Sequence, residues 1–186
     1  MGTREKIIDS AVTLFVEQGV AGTTTREIAK KANVAEGSIY RYFPSKEELA
    51  WIIFHDHHIL MADNLKKCAD NSDSLKNRIT KLVECFLKLA DENWIMFCYY
   101  LTSQYMHMHK FHDEENTPYK VVLNLMYEAK AGNKIQHEKI EIITAMVMGA
   151  VHQIATNKIY GRIDGDLYQH KDVIVDTISK MIDIDE

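Results

Sequence analysis

A chain of 186 residues with 46% hydrophobic residues, two prolines and eight glycines can bury a full core as one or two small domains, and this composition excludes fibrous and disordered classes. No run of about 18 apolar residues is present, which excludes a helical membrane span, and the charged start MGTREKII is not expected to act as a secretory leader. The net charge of −5 by itself argues against nucleic acid, yet residues 1–46 carry +2 and the remainder −7, so a basic face on the N-terminal part is compatible with DNA.

The apolar spacing predicts a first helix over about Thr3–Gln18, with Ile7, Ile8, Ala11, Leu14 and Phe15 on one stripe and Gly19 as its stop. Residues 23–49, TTTREIAKKANVAEGSIYRYFPSKEEL, then read as two short helices, a tight turn and the start of a third helix. Thr24 with Glu27 forms a capping box that starts a helix at Thr25. Asn33 tolerates the left-handed conformation that ends it. Pro44 ends the next helix, because the residue before a proline is pushed out of the helical region. Ser45 with Glu48 is a second capping box. Ile28, Ala29 and Ala32 share one side of the first short helix, Val34 sits in the turn, and Ile39 and Phe43 share a side of the second. This is the locked face that a helix-turn-helix needs.

The opposite face is polar. Thr24 and Thr25 offer hydroxyls at a helix N-terminus, where free N–H groups favour a phosphate. Tyr40, Tyr42 and Lys46 are expected to contact phosphates, although Tyr42 could instead pack on the following helix. Arg26 and Arg41 can grip guanine edges or hold phosphates equally well. Ser38 adds a donor, and Gly37 lets the backbone approach the bases. Glu36 either accepts from a cytosine amino group or only complements the start of its helix.

These residues resemble the DNA-binding domain of the tetracycline-repressor (TetR) family of bacterial regulators. The resemblance rests on Phe15-x-x-x-Gly19, Thr24-Thr25-Arg26-x-Ile28-Ala29, Val34-x-x-Gly37-Ser38-Ile39-Tyr40-x-Tyr42-Phe43 and Ser45-Lys46-Glu47-Glu48-Leu49. It implies an all-α homodimer in the cytoplasm, with a helix-turn-helix domain over residues 1–47 and a helical effector-binding and dimerisation domain over 48–186. It further implies a repressor that binds a palindromic double-stranded operator and is released by a small molecule, through a change in the separation of the two reading heads carried by the helix from Lys46.

That long helix is expected to reach Cys68, with Asp70-Asn71-Ser72-Asp73 as a loop and cap signal and further helices near 74–90, 93–110, 117–131, 135–160 and 167–183. Phe97, Tyr100, Leu101, Gln104, Tyr105 and Met108 recur at helical steps, as core or as one wall of an effector pocket. Trp51, Phe54, His55 and His58, with Met61, could form a second wall, and Tyr119, Leu123 and Met126 a third. Such a methionine-containing lining suits a largely hydrophobic effector. Residues 140–155 are apolar on more than one face. Ile143, Ala145, Met146, Gly149 and Ala150, with Ile174, Ile178 and Met181, are expected to form a four-helix dimer interface, the alternative being internal packing.

The remaining chemistry is sparse. His55, His57 and His58, and His107, His109 and His112, are clustered in sequence, but a metal site needs three or four ligands to converge, and no metal or cofactor is expected. Cys68, Cys85 and Cys98 lack a C-x-x-C spacing and suit reduced thiols. No G-x-S-x-G, phosphate loop or H-E-x-x-H is present, so no enzyme is expected.

Overall fold

The computed structural model describes residues 2–69, 74–112 and 115–183. Among these residues every regular element is helical, and the fold is all-α. In chain order the helices are α1 (Thr3–Gly22), α2 (Thr25–Ala32), α3 (Gly37–Tyr42), α4 (Lys46–Cys68), α5 (Leu75–Glu92), α6 (Trp94–His107), α7 (Pro118–Ala131), α8 (Ile140–Ile159) and α9 (Lys171–Met181). Short 3-10 turns at Met108–Lys110 and Leu167–His170 follow α6 and precede α9. The chain forms two compact units, Met1–His57 with Trp94–His112, and His58–Asn93 with Asp113–Glu186. Helix α4 runs unbroken from one unit into the other.

In the first unit, α1, α2, α3 and the start of α4 enclose Ile7, Ala11, Phe15, Ile28, Ile39, Phe43 and Leu49. Local chemistry sets the helix ends. Gly19 leaves helical geometry with φ 75°, ψ 163°, a conformation that glycine adopts without strain, and one more helical turn carries α1 to Gly22. The Thr24 hydroxyl accepts the Glu27 N–H at 3.2 Å, and the Glu27 carboxylate accepts the Thr24 N–H at 2.8 Å, which completes the capping box of α2. Asn33 closes α2 at φ 53°. Phe43 is extended ahead of Pro44, and Ser45 accepts the Glu48 N–H at 3.0 Å to open α4. Helix α6, more than forty residues further along the chain, packs on α1 within this unit. The buried Tyr99 ring lies 5.7 Å from Phe15, and its hydroxyl donates to the Ala50 carbonyl at 2.6 Å.

The second unit differs from the sequence expectation at two places, the start of α8 and the entry to α9. The signal at Asp70-Asn71-Ser72-Asp73 lies outside the described residues, and α5 is capped by Ser74, which accepts the Asn77 N–H at 3.2 Å. Helix α8 starts at Ile140, not near 135. The Lys134 N–H turns back to the Ala129 carbonyl at 2.9 Å, closing α7, and Lys139 supplies no side-chain cap to α8. The segment expected as one helix over 167–183 is a 3-10 turn followed by α9. Its entry is fixed by Asp91 at the end of α5, which accepts the Leu167 and Tyr168 N–H groups at 3.0 and 2.9 Å and pairs with Lys158 of α8 at 3.0 Å. Burial opposes the Asp91 charge, but these donors outweigh it and hold the carboxyl below its ordinary value. Arg78 of α5 bonds Glu128 of α7 at 2.8 Å, and Tyr127 of α7 donates to Glu141 of α8.

Asp91 thus ties α5, α8 and the 3-10 turn ahead of α9 together with one carboxylate. Replacing it in Asp91→Ala should lower the unfolding free energy by about 2 kcal/mol at neutral pH. The stabilisation belongs to the charged form, so it is present above the unfolded carboxyl's titration and is lost as pH falls. Urea denaturation of both proteins measures this, and superimposable curves would contradict the assignment.

Candidate nucleic-acid interface

Locking the apolar faces of α2 and α3 inward leaves their polar residues outside. Thr24, Arg26, Glu36, Gly37, Tyr40, Arg41 and Tyr42 are exposed, and Thr25, Ser38 and Lys46 are half-buried. The Thr25 hydroxyl donates to the Glu36 carboxylate at 2.8 Å and lies 3.2 Å from the Tyr40 hydroxyl, which joins the start of α2 to α3. Glu36 makes no side-chain cap on α3; its carboxylate is turned to Thr25 instead. The Arg41 guanidinium lies 5.1 Å over the Tyr42 ring, so these two side chains hold each other outward. Lys46 donates from Nζ to the Thr23 carbonyl at 2.7 Å.

Thr23, Thr24, Thr25, Tyr40, Ser45 and Lys46 border a shallow polar concavity of about 360 Å³. Hydroxyls and one ammonium line it, with Glu47 also at its border; the hydroxyls and the ammonium are donors of the kind that a phosphate oxygen accepts. A Cβ built on Gly37 would meet nothing within 4 Å. The missing side chain therefore relieves no contact inside the fold.

The residues expected to line an effector pocket fall in both units. Trp51, Phe54, His55, Phe97, Tyr100, Leu101, Gln104, Tyr105 and Met108 lie in the first, and His58, Tyr119, Leu123 and Met126 in the second. Phe54, Phe97, Tyr100 and Met126 are fully buried, whereas Tyr105 is 97% exposed and Met108 and Tyr119 face outward. Within the second unit a different set encloses a cavity: Leu65, Leu82, Phe86, Val122, Met126 and Val147 are among its walls, and His152 also lines it. Of these only Met126 carried the signal in the sequence. Leu82 and Phe86 sit at a helical step on α5, a spacing that ordinary core packing also produces, and His152 is the one imidazole of α8.

The residues expected at a dimer interface divide by exposure. Ile143, Ile174 and Ile178 are buried within the unit, Ala150 and Met181 are half-buried, and Ala145, Met146 and Gly149 are exposed or nearly so. Ile142, Met146 and Val173 are 57%, 47% and 63% exposed, so α8 and α9 turn apolar side chains outward. Ala150, Ile154, Val173, Ile174 and Ile178 border a shallow groove there.

Comparison with known proteins points one way. The family described as bacterial regulatory proteins, tetR family, matches residues 7–50. The HTH-type transcriptional regulator YvkB of Bacillus subtilis (strain 168) is 44% identical over 55 residues, 30% of this chain and 29% of its own length. The negative transcriptional regulator of the biofilm operon icaADBC, IcaR of Staphylococcus aureus (strain Newman), is 48% identical over 46 residues, 25% of each chain. The matched stretches thus span under a third of the length of these relatives. The solved structure of the regulator FadR from Bacillus subtilis in complex with stearoyl-CoA covers 96% of this chain and 98% of its own, with a TM-score of 0.78 at 17% identity, a likeness of fold alone. No described helix is long and apolar enough to cross a membrane.

Histidines cluster in the first unit without converging. Among the described residues no three His, Cys, Asp or Glu side chains are placed to hold a metal ion. His107 instead sits in a nest of rings, 5.1 Å from Phe54 and 5.7 Å from Trp51, and His57 lies 5.2 Å from Tyr100. Burial pushes both imidazoles down from an ordinary 6.5 to about 4, with Lys110 and His109 adding to the effect on His107. The fold accepts only the neutral rings, so their cost is absent above pH 6.5 and grows as pH falls toward 4, where the unfolded chain alone takes up the protons. Unfolding free energy should therefore decline across this window, and His107→Phe should flatten the decline. Urea midpoints at pH 7 and pH 5 measure it; an equal decline in both proteins would assign the acid loss to other groups.

Proposed function

Because the chain belongs to the TetR family of bacterial regulatory proteins, we propose that it is a transcriptional repressor that binds a palindromic operator as a homodimer and is released by a small, largely hydrophobic effector. The observation that carries this reading is the exposed polar face of α2 and α3, with its hydroxyl and ammonium groups gathered around one concavity. Residues 1–47 read the DNA. Thr24, Thr25, Tyr40, Tyr42 and Lys46 hold phosphates, while Arg26, Arg41 and Ser38 face base edges. Gly37 leaves room for the duplex. Glu36 orients Thr25 and Tyr40 and remains available to a cytosine amino group.

Residues 48–186 dimerise and respond. The outward apolar side chains of α8 and α9 support a self-association face, since a second copy would cover Ile142, Met146 and Val173. Two reading heads are needed because one carries few cations, and a dimer doubles the phosphate contacts. A protein of the same fold holds stearoyl-CoA, which supports an effector with an apolar body. The cavity of the second unit is its place, and unbroken α4 carries the response to the reading head.

Selection of bound fragments from random double-stranded DNA, read by sequencing, tests the whole reading. Enrichment of an inverted repeat is expected; folded dimer that enriches nothing at low salt would overturn it. Lys46→Ala should weaken binding to all sequences alike and lower the salt slope by about one. A loss confined to particular sequences would give Lys46 a base-reading role instead.

A further inference from the structure

The cavity assigned to the effector has a chemistry of its own, and the ligand class inferred from that chemistry rests on the assignment. Its walls come from α4, α5, α7 and α8 and are apolar but for His152. The His152 ring lies against Phe86, with centroids 5.5 Å apart. Its Nε2 is shielded from solvent, and among the described residues no hydrogen-bond partner reaches it. A buried ring nitrogen left unpaired destabilises a fold by about 1–3 kcal/mol, and native structures contain few. A leucine here would pack against Phe86 without that penalty, whereas the imidazole, as a wall of the cavity, offers an incoming group an unpaired ring nitrogen.

The rest of the lining narrows the ligand. No lysine or arginine borders the cavity, so an anion would lose its hydration and gain no cation. A plain hydrocarbon would fill the space and leave Nε2 unpaired. A hydroxyl can both donate and accept, so it pairs with Nε2 in either tautomer of the neutral ring, and burial keeps that ring neutral. The cavity volume is about 40 Å³, about three times the least space that one water occupies, which suits a small body and not a long acyl chain. We propose that this cavity binds a small uncharged molecule, an apolar body bearing one hydroxyl, whose hydroxyl pairs with His152 Nε2.

Phenol, toluene and benzoate share a ring and differ in the group attached, so they serve as probes. Binding of each to the full chain, and to His152→Leu, is followed by calorimetry and thermal shift at millimolar ligand. Phenol should bind the unaltered protein about tenfold more tightly than toluene, and benzoate should bind most weakly. In His152→Leu, toluene binding should persist, which reports an intact cavity, while the advantage of phenol disappears; His152→Gln should retain it. Equal binding of phenol and toluene, a phenol preference surviving in His152→Leu, strongest binding of benzoate, or no binding of any probe by folded protein would each overturn the inference. Operator binding measured on the same samples separates the two readings. DNA binding without probe binding removes this ligand class and leaves the regulator intact, and the reverse removes the DNA function and leaves the cavity.

Discussion

The first unit depends on one buried phenol. Tyr99 places its ring against Phe15 of α1 and its hydroxyl on the Ala50 carbonyl of α4, so a side chain from α6 joins the two helices that flank the helix-turn-helix. Helices of eight and six residues, such as α2 and α3, are too short to hold their shape in water alone. They are fixed by what they lie on. α1 contacts both of them, and α6 backs α1. A helix-turn-helix that looks contiguous over the first fifty residues therefore draws its rigidity from a segment that the chain adds much later. Burial pushes the Tyr99 hydroxyl well above its ordinary range, so it donates at every pH at which the fold exists.

How much could be read from the sequence depends on how local each cause is. The boundaries of α2, α3 and α4 were legible because Thr24, Glu27, Asn33, Pro44 and Ser45 act on neighbours within a few residues. The 3-10 entry to α9 was not, because its cause is Asp91, 76 residues away in the chain from Leu167. The start of α8 was blurred by Ile135, which is buried like a helix residue but belongs to the loop after α7. The polar face of the helix-turn-helix was legible as a set, since the locked side fixes the free side. The partnership of Glu36 with Thr25 was not, because it needs the angle between two helices. The cavity was hidden for a further reason: each helix gives it a few residues from a stripe that core packing explains equally well.

The two units also handle polar groups differently. On α2 and α3 hydroxyls and cations stay near water, holding one another in short contacts that a duplex could exchange for its own. In the second unit polar groups pair across helices: Asp91, largely buried, with Lys158 and two backbone donors, and buried Arg78 with the more exposed Glu128. Breaking such a partly desolvated pair leaves an uncompensated charge, so losing one partner costs more than the intact pair contributes net. His152 falls outside that pattern, as do His137 and Ser179, whose buried polar atoms also lack a partner among the described residues.

Gly37 separates two properties that are usually entangled. It begins α3 with ordinary negative φ and with open space where a side chain would stand, and a residue with better helix propensity would strengthen the helix by a few tenths of a kcal/mol to about 1 kcal/mol. Folding therefore places no demand for glycine at this position. On the proposed reading, in which α3 meets the duplex, the repertoire of DNA sequences that this scaffold can come to recognise is open to change at this position without first passing through a less stable protein.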